Sequence, residues 1–390
     1  MTTSPLTPAG FPASEFADRL ALAQSAMAHD GLDALLLTAE PDVRYFSGFL
    51  TRFWESPTRP WFLIVPVSGK PIAVIPAIGA ALMRQTWIED IYTWDAPDPD
   101  DDGVSLLADV LHRICGPNGR VGIPMGIETH LRMPQDDWAK FQTLSGLQFG
   151  SDSGIVRRLR MIKSEAEIAK IRAACGIADR AFARVPEIAQ AGVGLDVVFR
   201  RFQMLCLEEG ADWVPYLAGA SEQGGYADVI SPAGPDPLRQ GDVLMLDTGL
   251  VRDGYFCDFD RNFAVGAADQ NIRDAHAHLV ETTLAVAELA RPGTTASELT
   301  AAMAKRLSAF SGATEAGRLG HGLGMQLTEG LSLISDDHTI LEPGMVITLE
   351  PGLTLGPDKI MVHEENVVIR DGPPDFLSTP ANPEIPVLEG

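Results

Sequence analysis

The sequence predicts an α+β chain of two domains, and three observations carry that expectation. Its 390 residues exceed one average domain of roughly 150 residues. The first third alternates helix-like and strand-like segments, as an α/β domain does. Beyond residue 156, amphipathic helices are interleaved with strand-like pairs joined by short turns, which reads as an α+β domain. The boundary is placed at 155/156, giving domains 1–155 and 156–390.

In the first domain, Phe16–Ala28 sets Phe16, Leu20, Leu22, Ala23 and Met27 near helical spacing. Ala34–Thr38 is a buried-strand pattern, and the apolar runs Trp61–Pro66 and Pro71–Pro76 flank a hairpin signal, Val67-Ser68-Gly69-Lys70. A helical stretch is expected over Ala77–Trp87, then an acidic, proline-rich loop over Asp95–Gly103. Asp98–Asp102 in that loop lacks calcium-hand spacing and reads as a solvated turn. In the second domain, Ser164 and Glu167 fit a capping box opening a helix through Ile168, Ile171, Ala174 and Ile177. A second helix near Asp196–Glu209 precedes strand patterns at Val243–Asp247 and Phe256–Val265. Helices near 270–290 and 296–310 follow, with His276 and His278 expected at the surface, and the rest is mostly strand-like.

Thirty basic residues against 53 acidic ones leave a formal charge of −23, which excludes nucleic acid or an anionic membrane as the main partner. A hydrophobic fraction of 45% supports a sizeable core rather than disorder. Cys115, Cys175, Cys206 and Cys257 are scattered without a CxxC pair and read as reduced thiols. No signal-peptide pattern opens the chain, and no apolar run nears the roughly 20 residues of a membrane span. The expected compartment is therefore the cytoplasm. No P-loop or strand-linked GxGxxG supports nucleotide chemistry.

Three patches carry the chemistry. Asp247 and Asp258 stand eleven residues apart on two strand-like runs that a hairpin would bring together. His321 lies in Gly320-His321-Gly322-Leu323-Gly324, where glycines allow close backbone approach. Glu350 and Glu364 sit at the ends of Val/Ile-rich runs, where a carboxylate is disfavoured unless paired or coordinated. Four carboxylates and an imidazole suit two divalent ions, Mn²⁺, Fe²⁺, Co²⁺ or Zn²⁺, roughly 3.5–4 Å apart.

The order Asp, Asp, His, Glu, Glu at spacings of 11, 63, 29 and 14 resembles the pita-bread metallopeptidase family of methionine aminopeptidase, prolidase, aminopeptidase P and the creatinase relatives. Ala23 to Phe53 is similar to the creatinase-type N-terminal domain, and residues from about 155 look like the pita-bread catalytic domain. The resemblance implies that Asp247 binds one ion, Asp258 and Glu364 bridge both, and His321 and Glu350 complete the second. Glu350 would shuttle the proton while the ions acidify an attacking water. Glu365 occupies a place often held by Asp and is the lesser ligand of its pair.

The chain also departs from the family. Thr328 stands where prolidases place a substrate histidine seven residues after the ligand histidine, and Tyr226 stands near the place of another. Val362 replaces an arginine, and Asp260 replaces a threonine beside the second Asp ligand. Thr328, Glu329, His363 and Tyr226 are the candidates to replace the missing histidines. The segment Arg52–Trp61 is dense in arginine and aromatics. By resemblance it reaches the neighbouring active site of a homodimer, with Arg52 or Arg59 taking a carboxylate and Trp54 stacking. The expected activity is hydrolysis of an amide or peptide bond in a small substrate, an Xaa-Pro peptide first. The alternative is a non-peptidase of the same fold acting on a small zwitterion, like the dimethylsulfoniopropionate lyases or the ectoine hydrolase.

Overall fold

The computed structural model describes residues 10–56, 60–310, 317–373 and 375–389. They divide into two compact units, one ending at Arg160 and the other beginning at Met161. The first unit runs through α1 (Ala13–Asp30), β1 (Ala34–Leu37), α2 (Glu40–Ser47), β2 (Phe62–Pro66), β3 (Ile72–Pro76), α3 (Ala80–Met83), β4 (Asp90–Trp94), α4 (Val104–Cys115), β5 (Arg120–Ile123), α5 (Gln135–Ser145), β6 (Gln148–Ser151) and α6 (Ile155–Met161). Its strands form one sheet in the order β4-β3-β2-β1-β5-β6. The β1–β2 and β2–β3 pairs are antiparallel and the others parallel. The hairpin expected around Val67–Lys70 is present, with Phe62 opposite Val74. Every residue of β1 and β2 is buried, as expected of strands covered on both faces. Leu36, Phe62 and Ile64 pack with Leu107, Leu111 and Phe141 of α4 and α5.

The helix expected over Ala77–Trp87 is cut short. After the turn Ala77–Gly79 only α3 forms. The Thr86 hydroxyl donates to Met83 O (2.7 Å) and accepts from Ile88 N (3.2 Å), offering the backbone an alternative to further helix.

The second unit begins with α7 (Glu165–Ala183), whose capping box is formed as the sequence predicts. It continues through α8 (Leu195–Glu208), β7 (Trp213–Gln223), β8 (Asp242–Arg252), β9 (Tyr255–Phe256), β10 (Phe259–Val265), α9 (Gln270–Ala287) and α10 (Ala296–Leu307). The last strands are β11 (Val346–Leu349), β12 (Gly352–Gly356), β13 (Lys359–Val362), β14 (Glu365–Val368), β15 (Asp375–Phe376) and β16 (Val387–Leu388). The main sheet runs β16-β10-β8-β7, with β9 paired to β8. A three-stranded sheet, β11-β14-β15, and the β12–β13 hairpin complete the strands. The antiparallel β8–β10 register sets Asp247 opposite Asp260. Ile272, Leu279 and Val286 of α9 and Leu299 and Met303 of α10 share one core with Met245, Ile347 and Val367. No helix among the described residues is long and apolar enough to cross a membrane.

Candidate metal centre

Asp258, His321 and Glu364 are all buried, and each brings a ligand atom within 4.8 Å of the other two. His321 Nε2 lies 3.3 Å from Asp258 Oδ2 and 3.0 Å from Glu350 Oε1. The carboxyls of Glu350 and Glu364 are hydrogen-bonded to one another, and Asp247 lies within electrostatic reach of Asp258 and Glu350. Three of the five residues that the spacing singled out thus form one cluster, with Glu350 touching it and Asp247 within electrostatic reach.

Each candidate ligand is held by the chain around it. His321 Nδ1 is 2.9 Å from Gly322 O, so Nδ1 carries the proton and Nε2 is left as the ligating nitrogen. The His321 amide donates to Thr348 Oγ1 (3.0 Å), and the Thr348 hydroxyl donates to Glu350 Oε1. Asp258 is fixed through its own peptide: its N–H donates to Asn366 Oδ1 (3.0 Å) while Asn366 Nδ2 donates to its carbonyl. The Glu364 amide donates to Asp260 Oδ1 (2.8 Å), so the extra carboxylate of this chain orients a ligand's backbone. Tyr216 donates its hydroxyl to Asp247 Oδ2 (3.0 Å).

The electrostatics are those of a site built around positive charge. Burial, and then the Asp258 and Asp260 charges, push the Asp247 carboxyl well above its usual range. Burial raises Asp258 to about 6 despite its imidazole partner. Burial and three neighbouring carboxylates raise Glu364 as well. Burial would lower His321, but the carboxylates of Asp258 and Glu350 bring it up to about 10. Burial would raise Glu350, yet its contact with His321 takes it down to about 2. Asp247 Oδ1, Asp258 Oδ1 and Glu364 Oε1 are buried without a hydrogen-bond partner. Buried anionic oxygens are costly unless paired or coordinated, and three orphaned together fit hard divalent cations.

The residues expected to replace the family's histidines are placed differently. Tyr226 is fully buried; its hydroxyl donates to Asn262 Oδ1 (3.2 Å) and accepts from Val362 N (2.8 Å). That saturated hydroxyl ties β10 to β13, which corrects its expected catalytic role. His363 is 1% exposed, its Nδ1 3.4 Å from Asp260 and its Nε2 3.4 Å from Glu365. Both ring nitrogens face carboxylates at ion-pair distance without a well-formed hydrogen bond, so His363 is placed as a buried counter-ion rather than as a group open to substrate. Glu365 accepts from Arg261 Nη2 (3.1 Å) and Ala381 N (2.8 Å), outside the ligand cluster. Glu329 pairs with Lys163 at 3.0 Å, both buried.

His276, expected at the surface, is 2% exposed, 6.2 Å from the His363 ring, with Nε2 3.0 Å from Asn382 O. Burial and the charge of His363 bring it down to about 4, so it is carried neutral in the core. Thr328 is half-buried and accepts a long hydrogen bond from Arg318 Nη2 (3.4 Å). In the first unit, Trp54 is 9% exposed, packed against Phe49 and Trp61 with the Arg132 guanidinium 5.0 Å from a ring centroid. Arg52 is exposed and paired with Glu55 at 3.1 Å, and Arg59 lies outside the described residues. Tyr216, Asn366, Thr348 and Arg318 were not foreseen. Thr348 and Asn366 flank the ligand glutamates Glu350 and Glu364 by two residues in each case, the one available signal.

A buried carboxylate and imidazole cluster beside antiparallel strands is a site suited to divalent metal. Residues 169–371 match metallopeptidase family M24, and residues 19–162 match the creatinase/prolidase N-terminal domain. The chain is 30% identical over 370 residues to a probable dipeptidase PepE of Mycobacterium tuberculosis, covering 92% of this chain and 93% of the relative. An Xaa-Pro dipeptidase of Lactobacillus delbrueckii subsp. lactis is 25% identical over 366 residues, 91% of this chain and 95% of the relative. The structure of dipeptidase PepE from Mycobacterium ulcerans superposes with a TM-score of 0.82 at 24% identity, over 98% of this chain and 100% of that one. The protein belongs to metallopeptidase family M24, in the pita-bread fold with a creatinase-type N-terminal domain, and is a metal-dependent peptidase. The reading as a lyase or ring-opening enzyme gains no support from these likenesses.

Proposed function

We propose that the protein is a dipeptidase that uses two divalent ions, Mn²⁺ foremost, held by Asp247, Asp258, His321, Glu350 and Glu364. The observation that carries this reading is the set of three orphaned, buried carboxylate oxygens beside an imidazole whose tautomer is fixed. Bound there, such ions would supply Lewis-acid polarisation of a carbonyl and a lowered pKa for water. Glu350, whose side chain at 23% exposure is more accessible than those of His321 and Asp258, carries the proton to the leaving amine. The Thr348 hydroxyl donates to its Oε1 and so orients the carboxylate for that transfer. The names of the similar dipeptidases support small peptides as substrates, and the altered histidine positions favour a range wider than Xaa-Pro.

The test is metal analysis of the protein purified without chelator, together with a panel of prolyl and non-prolyl dipeptides. Absence of transition metal, or no turnover of any dipeptide with Mn²⁺, Co²⁺, Zn²⁺ and Fe²⁺ supplied, overturns the reading. A homodimer is also proposed, with exposed Arg52 as the loop residue that meets the neighbouring substrate. Sedimentation showing a monomer at assay concentration refutes it. A cytoplasmic site of action is also proposed, supported by the unpaired thiols of Cys175, Cys206 and Cys257, and is checked by cell fractionation.

A further inference from the structure

We propose that Thr348 and Asn366, opposite one another on β11 and β14, are a pair of positioning residues that sets His321 against Asp258 before any ion binds. The inference rests on the metal centre of the proposed function and deepens it by naming what fixes the spacing of that centre.

The strand register sets Thr348 directly opposite Asn366. Residues paired in this way stand side by side on one face of a sheet, with Cβ atoms about 4.5–5.5 Å apart. Both are fully buried, so neither meets substrate or solvent. From β11, Thr348 holds the histidine at two points. Its amide donates to His321 O (2.7 Å), and its Oγ1 accepts from His321 N (3.0 Å). The same hydroxyl donates to Glu350 Oε1. From β14, the Asn366 side chain pairs with the Asp258 peptide as one strand pairs with another. Its Oδ1 accepts from the Asp258 N–H (3.0 Å), and its Nδ2 donates to the Asp258 carbonyl. The Cys175 thiol of α7 also donates to Oδ1 (3.3 Å), so both contacts on that end of the amide require oxygen there. The Asn366 N–H donates to Ser378 Oγ (3.0 Å) and anchors the strand beside the clamp.

The two clamps end on the two halves of one contact, His321 Nε2 to Asp258 Oδ2 at 3.3 Å. Glu364, the third member of the cluster, stands two residues before Asn366 on the same run of chain. The charges of Glu350, Asp258 and Asp247 all act on Glu364, and like charges at close range push apart. A metal-free cluster of this kind keeps its shape only if the backbones bearing it are fixed. Thr348 and Asn366 do so with neutral groups, which leaves the charge of the centre unchanged. Asp247 is held separately, from β7, by the Tyr216 hydroxyl (3.0 Å). The centre is therefore built from two independent supports, the Thr348–Asn366 pair and Tyr216.

Mn²⁺ affinity of the full-length protein, read by competition with a metal-sensitive dye, tests this, with Tm in EDTA measured beside it. Thr348→Val and Asn366→Leu should each weaken binding by about 10- to 100-fold. Asn366→Ala is the second variant should leucine disturb the core, and Thr348→Ser, which keeps the hydroxyl, should restore affinity. Because both clamps serve one contact, the double variant Thr348→Val with Asn366→Leu should fall within about tenfold of the weaker single one. Thr348→Val with Tyr216→Phe is the reference for independence, and its two effects should multiply. Single variants that bind Mn²⁺ as wild type does, whatever their Tm in EDTA, overturn the inference. So does a Thr348→Ser variant no better than Thr348→Val, or a coupling in the first double variant no greater than in the reference. A wild type that binds no metal overturns the inference and the proposed function together. One that binds metal with the expected pattern yet cleaves no dipeptide keeps the inference and loses the peptidase reading.

Discussion

At the scale of single residues, the centre is a set of like charges that this chain holds in place by hydrogen bonds to neutral groups. Tyr216 shows the consequence most directly. Its hydroxyl donates to a ligand carboxylate, and loss of an outer partner typically costs 10- to 100-fold in metal affinity or activity. Tyr216→Phe is expected to weaken metal binding by about that factor without unfolding the chain. Competition against a metal-sensitive dye measures it, and unchanged affinity would remove Tyr216 from the site. Glu364 makes the opposite case. Its Oε1 has no partner, and its carboxyl is raised by burial and three carboxylates. Glu364→Gln should therefore melt no lower than wild type in EDTA, yet gain no Tm from added Mn²⁺. A large loss of Tm in EDTA would mean that the carboxylate serves the fold itself.

At the scale of elements, the ligands are carried on short, tightly crossed segments whose glycines are obligatory. Gly320 has φ +144°, and a Cβ there would lie 2.3 Å from Thr348 O, in the strand that also anchors the His321 amide. Gly320→Ala is expected to destabilise the protein by about 2–4 kcal/mol through strain and overpacking. It should abolish metal retention because His321 and Thr348 are displaced together; a variant that keeps two ions at wild-type Tm contradicts this. The same segments show what the sequence makes legible. The hairpin at Val67–Lys70, the capping box at Ser164, the strand bearing Asp247 and the strand that follows Asp258 depend on local pattern, and all were readable. Strand β7 was not, because Pro215 and the run Gly219-Ala220-Ser221-Glu222-Gln223 lack strand periodicity; it forms as an edge strand with a register shift between Trp213 and Tyr216. Tyr216 was missed with it. His276 and Tyr226 failed for another reason: their burial is set by a cluster of distant residues, Asn262, His363 and Asn382, that no window of sequence contains.

At the scale of the whole molecule, metal, protons and stability are one linked equilibrium. In the metal-free protein Asp258 is raised to about 6, with Glu364 and Asp247 raised as well, so the folded state binds protons that the unfolded carboxylates have already released. Stability must then fall as pH rises from about 4 through those folded values. His321 acts in the same direction: raised to about 10, its contribution is complete below the unfolded value of about 6.5 and is lost on the way up to 10. Glu350, depressed to about 2, contributes fully above about 4.5 and is lost only in acid as pH falls through 2. Between pH 5 and 9 the three effects leave one sign, a Tm in EDTA that declines steadily with pH. Metal reverses the dependence, because its ligands must shed those protons, so affinity rises with pH and stabilisation grows as the logarithm of ligand over Kd. The gap in Tm between the Mn²⁺-loaded and EDTA-treated protein should therefore be small near pH 5 and widen to several degrees or more by pH 9. Thermal scans at pH 5, 7 and 9 decide the matter: a metal-free Tm that climbs across this range, or a gap that narrows, would show that the cluster is not the electrostatic weak point the geometry makes it.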